Sequence, residues 1–173
     1  RQLTLMADQY DLSSLHTCVA AGEPLSRSTS DVWHAATGIR LTDGIGATEM
    51  IHIFIGSTGS DVRPGATGQP LPGYQACVLD DHGHPLPLGS TGRLAVKGPT
   101  GCRYLDDPRQ RDYVVNGWNV TGDIYHVDQD GYFWFQCRTD DMIVSSGYNI
   151  AGPDVEAALS THPAVKECAV IGV

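Results

Sequence analysis

The chain has 173 residues, 41% of them hydrophobic, enough for one domain of ordinary size and part of another. Its formal charge is −9, from 11 Lys and Arg against 20 Asp and Glu, so it lacks the clustered cations that a nucleic-acid surface requires. No apolar run approaches the roughly 18 residues of a membrane helix, and a helical span is excluded on that ground.

The chain opens on "RQLTLMADQYDLSSLH" with no initiator Met and no signal peptide. The segment "LHTCVAAGEPLS" reads as a short buried strand and a polar turn. "SRSTSDVWHAATG" reads as a helix, capped by Ser26 or Ser28 and stopped at Gly38. "IRLTDGIGATE" reads as a second strand running into a glycine turn. Strand, helix and strand in that order favour parallel pairing, with ligands bound outside the carboxyl ends of the strands. Both "AGEP" and "DGIGATE" fall at such ends.

The texture changes near residue 60. "DVRPGATGQPLPGY" is rich in Pro and Gly and reads as loop. "QACVLDDHGHPLPLGSTGRLAVKGP" reads as two strands with turns between them, and "DIYHVDQDGYFWFQCR" as a hairpin. Residues 60 to 137 should therefore be mainly β, a small barrel or distorted sheet. After Arg138 the pattern predicts a short strand, a glycine turn, a helix begun by Gly152-Pro153 and ended near His162-Pro163, and a last buried strand in "VKECAVIGV". The expected fold class is α/β plus β, with the start of an α+β piece. The boundary is expected at 138 to 141, dividing residues 1–139 from 140–173.

Five cysteines, at 18, 77, 102, 137 and 168, are odd in number and never spaced C-x-x-C. That spacing speaks against a disulfide framework or a zinc site and for a reducing, cytoplasmic setting. His82-Gly83-His84 sits in a polar turn with no neighbouring ligand cluster, so metal is not expected there. Trp33, Trp118 and the "YFWF" run read as core. His52 either lines a pocket or is a core histidine, and the residues alone favour the core.

Three constellations could carry chemistry. In Asp43-Gly44-Ile45-Gly46-Ala47-Thr48-Glu49, glycines allow close approach of backbone to ligand. Thr48 offers a hydroxyl and an N–H to a phosphate oxygen, and Glu49 offers a hard oxygen to Mg²⁺. Taken alone, a strand-to-loop turn with solvated acids is the simpler reading. In Thr121-Gly122-Asp123, a carboxylate with two acceptor oxygens could hold a ribose diol, or the stretch could be a turn before the hairpin. Arg138-Thr139-Asp140-Asp141, followed by Ser146-Gly147-Tyr148-Asn149, could bind ribose or phosphate or form a surface ion-pair cluster, though exposed clusters stabilise little.

The order of these segments is more informative than any one of them. "AGEP", "DGIGATE", "TGD" and "RTDDMI…SGYNI…PDVE" together resemble the adenylate-forming enzymes, the acyl- and aryl-CoA synthetases, luciferases and peptide-synthetase adenylation domains. "DGIGATEMIHIFIG", "RPGATGQPLPGY", "GWNVTGD" and "GYNIAGPDVE" look most like the benzoate and 2-aminobenzoate–CoA ligase branch. The resemblance covers nearly the whole chain. It implies the carboxyl-terminal portion of the large adenylating domain, joined to the start of a small mobile domain.

By that resemblance Gly22, Glu23 and Pro24 lie beside the adenine, and Asp43 near its edge. Gly46 belongs to the nucleotide loop. Thr48 meets the α-phosphate and Glu49 the Mg²⁺, and these two are the candidate catalytic residues. Asp123 grips the ribose hydroxyls, and Arg138 belongs to the same nucleotide pocket. Gly44, Ile45 and His52 fall near the acyl pocket. Asp140 is the hinge, and Gly147 flanks the pantetheine tunnel. The implied co-substrates are ATP and coenzyme A with Mg²⁺, and AMP is released. The partner is a small carboxylic acid of the benzoate or 2-aminobenzoate type, with medium-chain fatty acids as the neighbouring option. The full-length protein could form a homodimer. A non-catalytic β-rich binding module that retains the fold is the alternative from a different class. The family's Ser/Thr/Gly-rich phosphate loop and its far carboxyl-terminal lysine are not in this sequence, and position 149 is Asn where some acetyl-CoA synthetases carry Arg. A piece of a longer protein, with little turnover by itself, is the expectation.

Overall fold

The structure is a computed structural model, and it describes residues 3–145, 148–162, 164–165 and 168–172. A 3-10 segment, Leu3–Gln9, leads to strand β1, Cys18–Ala21, helix α1, Arg27–Thr37, and strand β2, Leu41–Gly46. Ser26 caps α1, its hydroxyl accepting from the Thr29 N–H, and Gly38 closes the helix at φ 72° with its own N–H on the His34 carbonyl. That left-handed stop is cheap only for glycine. Strands β1 and β2 pair in parallel, Ala20 opposite Asp43 and Ala21 opposite Gly44, as the strand-helix-strand pattern requires.

β2 then pairs antiparallel with β3, Ile53–Gly56, which pairs with β4, Gln69–Pro70. The first sheet is therefore mixed, in the order β1-β2-β3-β4. The glycines of "DGIG" lie inside β2 and form no turn. The turn comes later, as a 3-10 turn at Thr48–Met50. Their smallness serves the sheet: a Cβ on Gly44 would stand 2.8 Å from Ile53 Cγ2, and one on Gly46 would stand 2.8 Å from the His52 carbonyl oxygen.

The second sheet is antiparallel, as expected of residues 60 to 137. It contains β5, Gln75–Leu79; β6, Thr91–Lys97; β7, Val114–Val115; β8, Trp118–Val127; and β9, Phe133–Arg138. Its order is β5-β6-β8-β7, with β9 also on β8, and register breaks at Arg93/Ala95 and Ile124/Tyr125 bend it. Helix α2, Gln110–Tyr113, lies in the connection between β6 and β7. The hairpin turn is built on Asp128, whose Oδ1 accepts from the N–H groups of Asp130 and Tyr132 while Oδ2 accepts from Trp134 Nε1. Thr121-Gly122-Asp123 is no turn before that hairpin: β8 begins earlier and takes all three residues into the ladder.

One core joins the two sheets. Met50, Phe54 and Ile55 of the first pack with Val78, Leu94, Val96, Tyr125, Val127 and Phe133 of the second. Burying nine such side chains is worth on the order of 10–25 kcal/mol before chain entropy is subtracted. The aromatic run is only partly core: Tyr132 and Phe133 are buried, while Trp134 and Phe135 are half-buried. Trp33 and Trp118 are also half-buried, and Trp118 carries the Lys97 ammonium 4.1 Å from its ring centre.

A 3-10 turn, Thr139–Asp141, leads from β9 to a separate antiparallel pair, β10, Met142–Ser145, and β11, Tyr148–Ala151. The sequence pattern missed β11. Helix α3, Gly152–Leu159, has Pro at its first turn and ends three residues earlier than expected. Residues 168–172 form no strand, contrary to the buried strand expected of "VKECAVIGV", whose Lys166, Glu167 and Val173 lie outside the described residues. The segment is held beside the rest of the unit by contact of Gly172 with Ile143 and by the Val170 N–H, which donates to Glu156 Oε1, while Ile171 stays exposed.

Candidate active site

The carboxyl ends of β1 and β2 lie side by side because the strands are parallel. Gly22, Glu23 and Pro24 follow β1 as an exposed loop, with Gly22 at φ 94°. Asp43 is buried in β2 beside that loop. Its carboxylate accepts from the Gly44 N–H at 2.9 Å and is also eased by the Leu25 N–H nearby. Burial outweighs these two donors and lifts its pKa to about 6.

Past β2 the chain turns on Thr48, Glu49 and Met50. Met50 is fully buried, which pins the turn to the core and leaves Thr48 exposed and Glu49 half-buried. Ile51 then adopts φ 68° with its side chain largely exposed. A β-branched residue in that conformation is strained, a feature concentrated at functional sites. Glu49 Oε1 accepts a 2.5 Å hydrogen bond from the Tyr104 hydroxyl. That bond, with the nearby charges of Arg138 and Arg109, holds the Glu49 carboxyl below its usual range.

Asp123 and Arg138 are opposite residues in the β8–β9 ladder, and Arg138 Nη1 donates to Asp123 Oδ1 at 2.8 Å. Gly122, at φ 81°, gives the guanidinium room: a Cβ there would stand 3.2 Å from Arg138 Nη2. Next to Asp123 lies Tyr125, whose hydroxyl meets Thr67 Oγ1 at 3.3 Å. Burial raises the Tyr125 pKa, and the charges of both Asp123 and Asp43 raise it further. Asp123 and Arg138 are in direct contact, the Arg138 charge acts on Glu49 through space, and the charges of Asp43 and Asp123 both reach Tyr125.

The other expected residues fall differently. Gly44 and Gly46 face β3, where a side chain on either would crowd the neighbouring strand. Ile45 packs on the core cluster. His52 is exposed, its Nδ1 2.9 Å from the Ile53 carbonyl oxygen, so the core reading of that histidine is wrong. Asp140 is exposed on the turn after β9. Gly147 lies outside the described residues. Tyr104, Tyr125 and Thr67 were not singled out in the sequence, because nothing in their spacing links them to positions 49, 123 and 43.

Among the described residues no three His, Cys, Asp or Glu side chains converge on a metal, and no helix is long and apolar enough to cross a membrane. Mg²⁺ suits Glu49 nevertheless. It takes one or two carboxylate oxygens and fills its shell with water and phosphate, and Glu49 is an ionised, anchored carboxylate of that kind.

A mixed sheet with Asp43 and the Thr48-Glu49 turn toward the carboxyl end of β2, beside a second sheet that carries the Asp123–Arg138 pair, has the form of an open α/β nucleotide fold. The model of the AMP-binding enzyme family matches residues 1–104, and the chain belongs to that family. An uncharacterized acyl–CoA ligase, YtcI, of Bacillus subtilis (strain 168) is 41% identical over 167 residues, covering 94% of this chain and 32% of the relative. The crystal structure of the anthranilate CoA ligase AuaEII in complex with anthranoyl-AMP superimposes with a TM-score of 0.87 at 42% identity, over 95% of this chain and 32% of that one. A benzoate CoA ligase from Burkholderia xenovorans LB400 gives 0.81 at 36% identity, over 92% and 32%. The chain spans about a third of the length of these proteins.

Proposed function

We propose that this chain is the nucleotide-binding core of an ATP-dependent, AMP-forming carboxylate–CoA ligase whose acid is aromatic, of the benzoate or 2-aminobenzoate type. The observation that supports the reading is the Asp123–Arg138 ion pair of β8 and β9, within electrostatic reach of Glu49 on the turn after β2. The preference for an aromatic acid is supported by the likeness to an anthranilate ligase and a benzoate ligase.

The chemistry asks for positioning and charge stabilisation and for no side-chain nucleophile. The carboxylate attacks the α-phosphorus of ATP, the acyl-adenylate forms and pyrophosphate leaves. The CoA thiol then attacks the acyl carbonyl and AMP leaves. In this reading the Thr48 hydroxyl donates to the α-phosphate. Glu49 would hold the Mg²⁺, which would supply neutralisation of phosphate charge. Asp123 accepts from the ribose hydroxyls through the oxygen that Arg138 does not occupy. Gly22, Glu23, Pro24 and Asp43 border the adenine, and Gly44, Ile45 and His52 lie toward the acyl group. Asp140, on the turn between β9 and β10, is the proposed hinge, and Gly147 the proposed neighbour of the pantetheine arm. The hinge divides residues 1–139 from 140–173. Five free, scattered cysteines favour a cytoplasmic setting.

The test is a substrate panel on the full-length protein, read as AMP release with CoA present. Benzoate and 2-aminobenzoate should outrun medium-chain fatty acids. A preference for the fatty acids would reassign the substrate, and no AMP release with any acid would remove the reading.

A further inference from the structure

We propose that Tyr104 is a positioning residue for Glu49: its hydroxyl fixes one carboxylate oxygen and so aims the other at the cation that accompanies the nucleotide. This rests on the ligase reading above and adds a residue that the motifs do not contain. The contact spans 55 positions of sequence, and it joins the segment between β6 and β8 to the 3-10 turn of the first sheet.

Tyr104 is itself held on several sides. Its N–H donates to Gln110 Oε1 at 2.8 Å. Its ring stands edge-on to Tyr113, centroids 5.5 Å apart at 69°. The Arg109 guanidinium lies 5.1 Å from the ring centre. Tyr113 is buried, and its hydroxyl reaches Met50 Sδ at 3.6 Å. Two tyrosines of one segment thus grip two consecutive residues of the turn, Glu49 through its carboxylate and Met50 through its sulfur.

The choice of donor suits the purpose. A phenol orients a carboxylate without cancelling its charge, whereas a cation would compete with the metal for it. Arg109, whose charge reaches Glu49 from that segment, is occupied elsewhere: its Nε and Nη2 both donate to Asp107 Oδ2, at 2.9 and 2.6 Å. Mg²⁺ demands near-octahedral geometry, so an oxygen fixed in place binds it better than one on a rotating carboxylate. Groups that orient a metal ligand in this way are typically worth about 10- to 100-fold in metal affinity.

The experiment uses the full-length protein and compares wild type with Tyr104→Phe, Tyr113→Phe, Glu49→Gln and the double variant Tyr104→Phe/Glu49→Gln. Calorimetry measures ATP affinity with and without Mg²⁺. The Phe variant keeps the ring and its packing and loses only the hydroxyl. Tyr104→Phe should weaken binding of Mg²⁺–ATP by about 10-fold and leave metal-free ATP binding unchanged. In the double variant it should add nothing to Glu49→Gln, because its effect passes through that carboxylate. Tyr113→Phe should leave both affinities unchanged. Equal weakening of both nucleotide forms, no weakening, or additive effects in the double variant overturns the assignment while leaving the ligase reading in place. A wild-type protein that binds no ATP overturns both.

Discussion

Asp123 and Arg138 face each other across the β8–β9 ladder and meet at 2.8 Å, the carboxylate buried and the guanidinium half in solvent. The pair fixes one Asp123 oxygen and orients the other. It also means that the two residues, 15 positions apart in sequence, act as one unit. Asp123→Ala should lower kcat/KM of the full-length enzyme by about 10²- to 10³-fold, the effect of removing one aligned polar contact to a reacting nucleotide. Arg138→Ala should cost about 1–3 kcal/mol of stability, less than for a fully buried pair because the guanidinium reaches water. Steady-state kinetics and thermal melting check the two effects.

Thr48 is exposed on a turn that Met50 anchors, so its hydroxyl contributes little to folding. Thr48→Ala should leave the melting temperature nearly unchanged and lower kcat by about 10²-fold or more. Thr48→Ser, which keeps the hydroxyl, should recover most of the rate. A non-catalytic module would show no change in either variant.

Gly46 is required by the sheet. A methyl group there would stand 2.8 Å from the His52 carbonyl oxygen, a backbone atom that cannot rotate away. Gly46→Ala should therefore displace β3 and destabilise the protein by about 1–3 kcal/mol, as overpacking typically does. Nucleotide binding should fall with it. Thermal melting beside AMP titration checks this, and intact stability with lost binding would restore the view that Gly46 makes room for the ligand.

Asp43 gives a pH dependence of definite sign. Its folded pKa, about 6, lies above the ordinary value of 3.8, so the folded state holds its proton more tightly than the unfolded chain. The associated stability is full below about pH 4 and is lost as pH rises through 6. Above pH 7 the buried charge is a cost, on the order of 1–3 kcal/mol. Asp43→Asn, which removes the charge and keeps the shape, should be more stable than wild type at pH 8 and about equal to it near pH 4. Melting temperatures of both proteins across that range measure it.

Much of the framework was legible in the sequence because it depends on local signals. Ser26 and Gly38 bracket α1, and the D-x-D-G turn between alternating apolar runs marks the β8–β9 hairpin. Order and spacing of the motifs pointed to the family. What the sequence did not show depends on contacts between distant segments. Tyr104 meets Glu49 across 55 residues, and the Tyr125 hydroxyl meets Thr67 across 58, contacts that exist only because the two sheets pack together. The glycines of "DGIG" suggested a ligand loop because their nearest neighbours, in β3, follow the motif and make contact only after the chain doubles back. The run "ECAVIG" has strand composition yet no partner strand among the described residues, so propensity alone did not make it one.

The central claim is that side chains from both sheets and the turns beside them converge on a single adenosine monophosphate. A crystal structure of the full-length protein with a non-hydrolysable acyl-adenylate tests it most directly. The account predicts one bound molecule with its α-phosphate at Thr48, its ribose hydroxyls on Asp123 beside Arg138, and its adenine between Asp43 and the Gly22–Pro24 loop. An adenylate bound elsewhere, or one that touches only one of these groups, would contradict it.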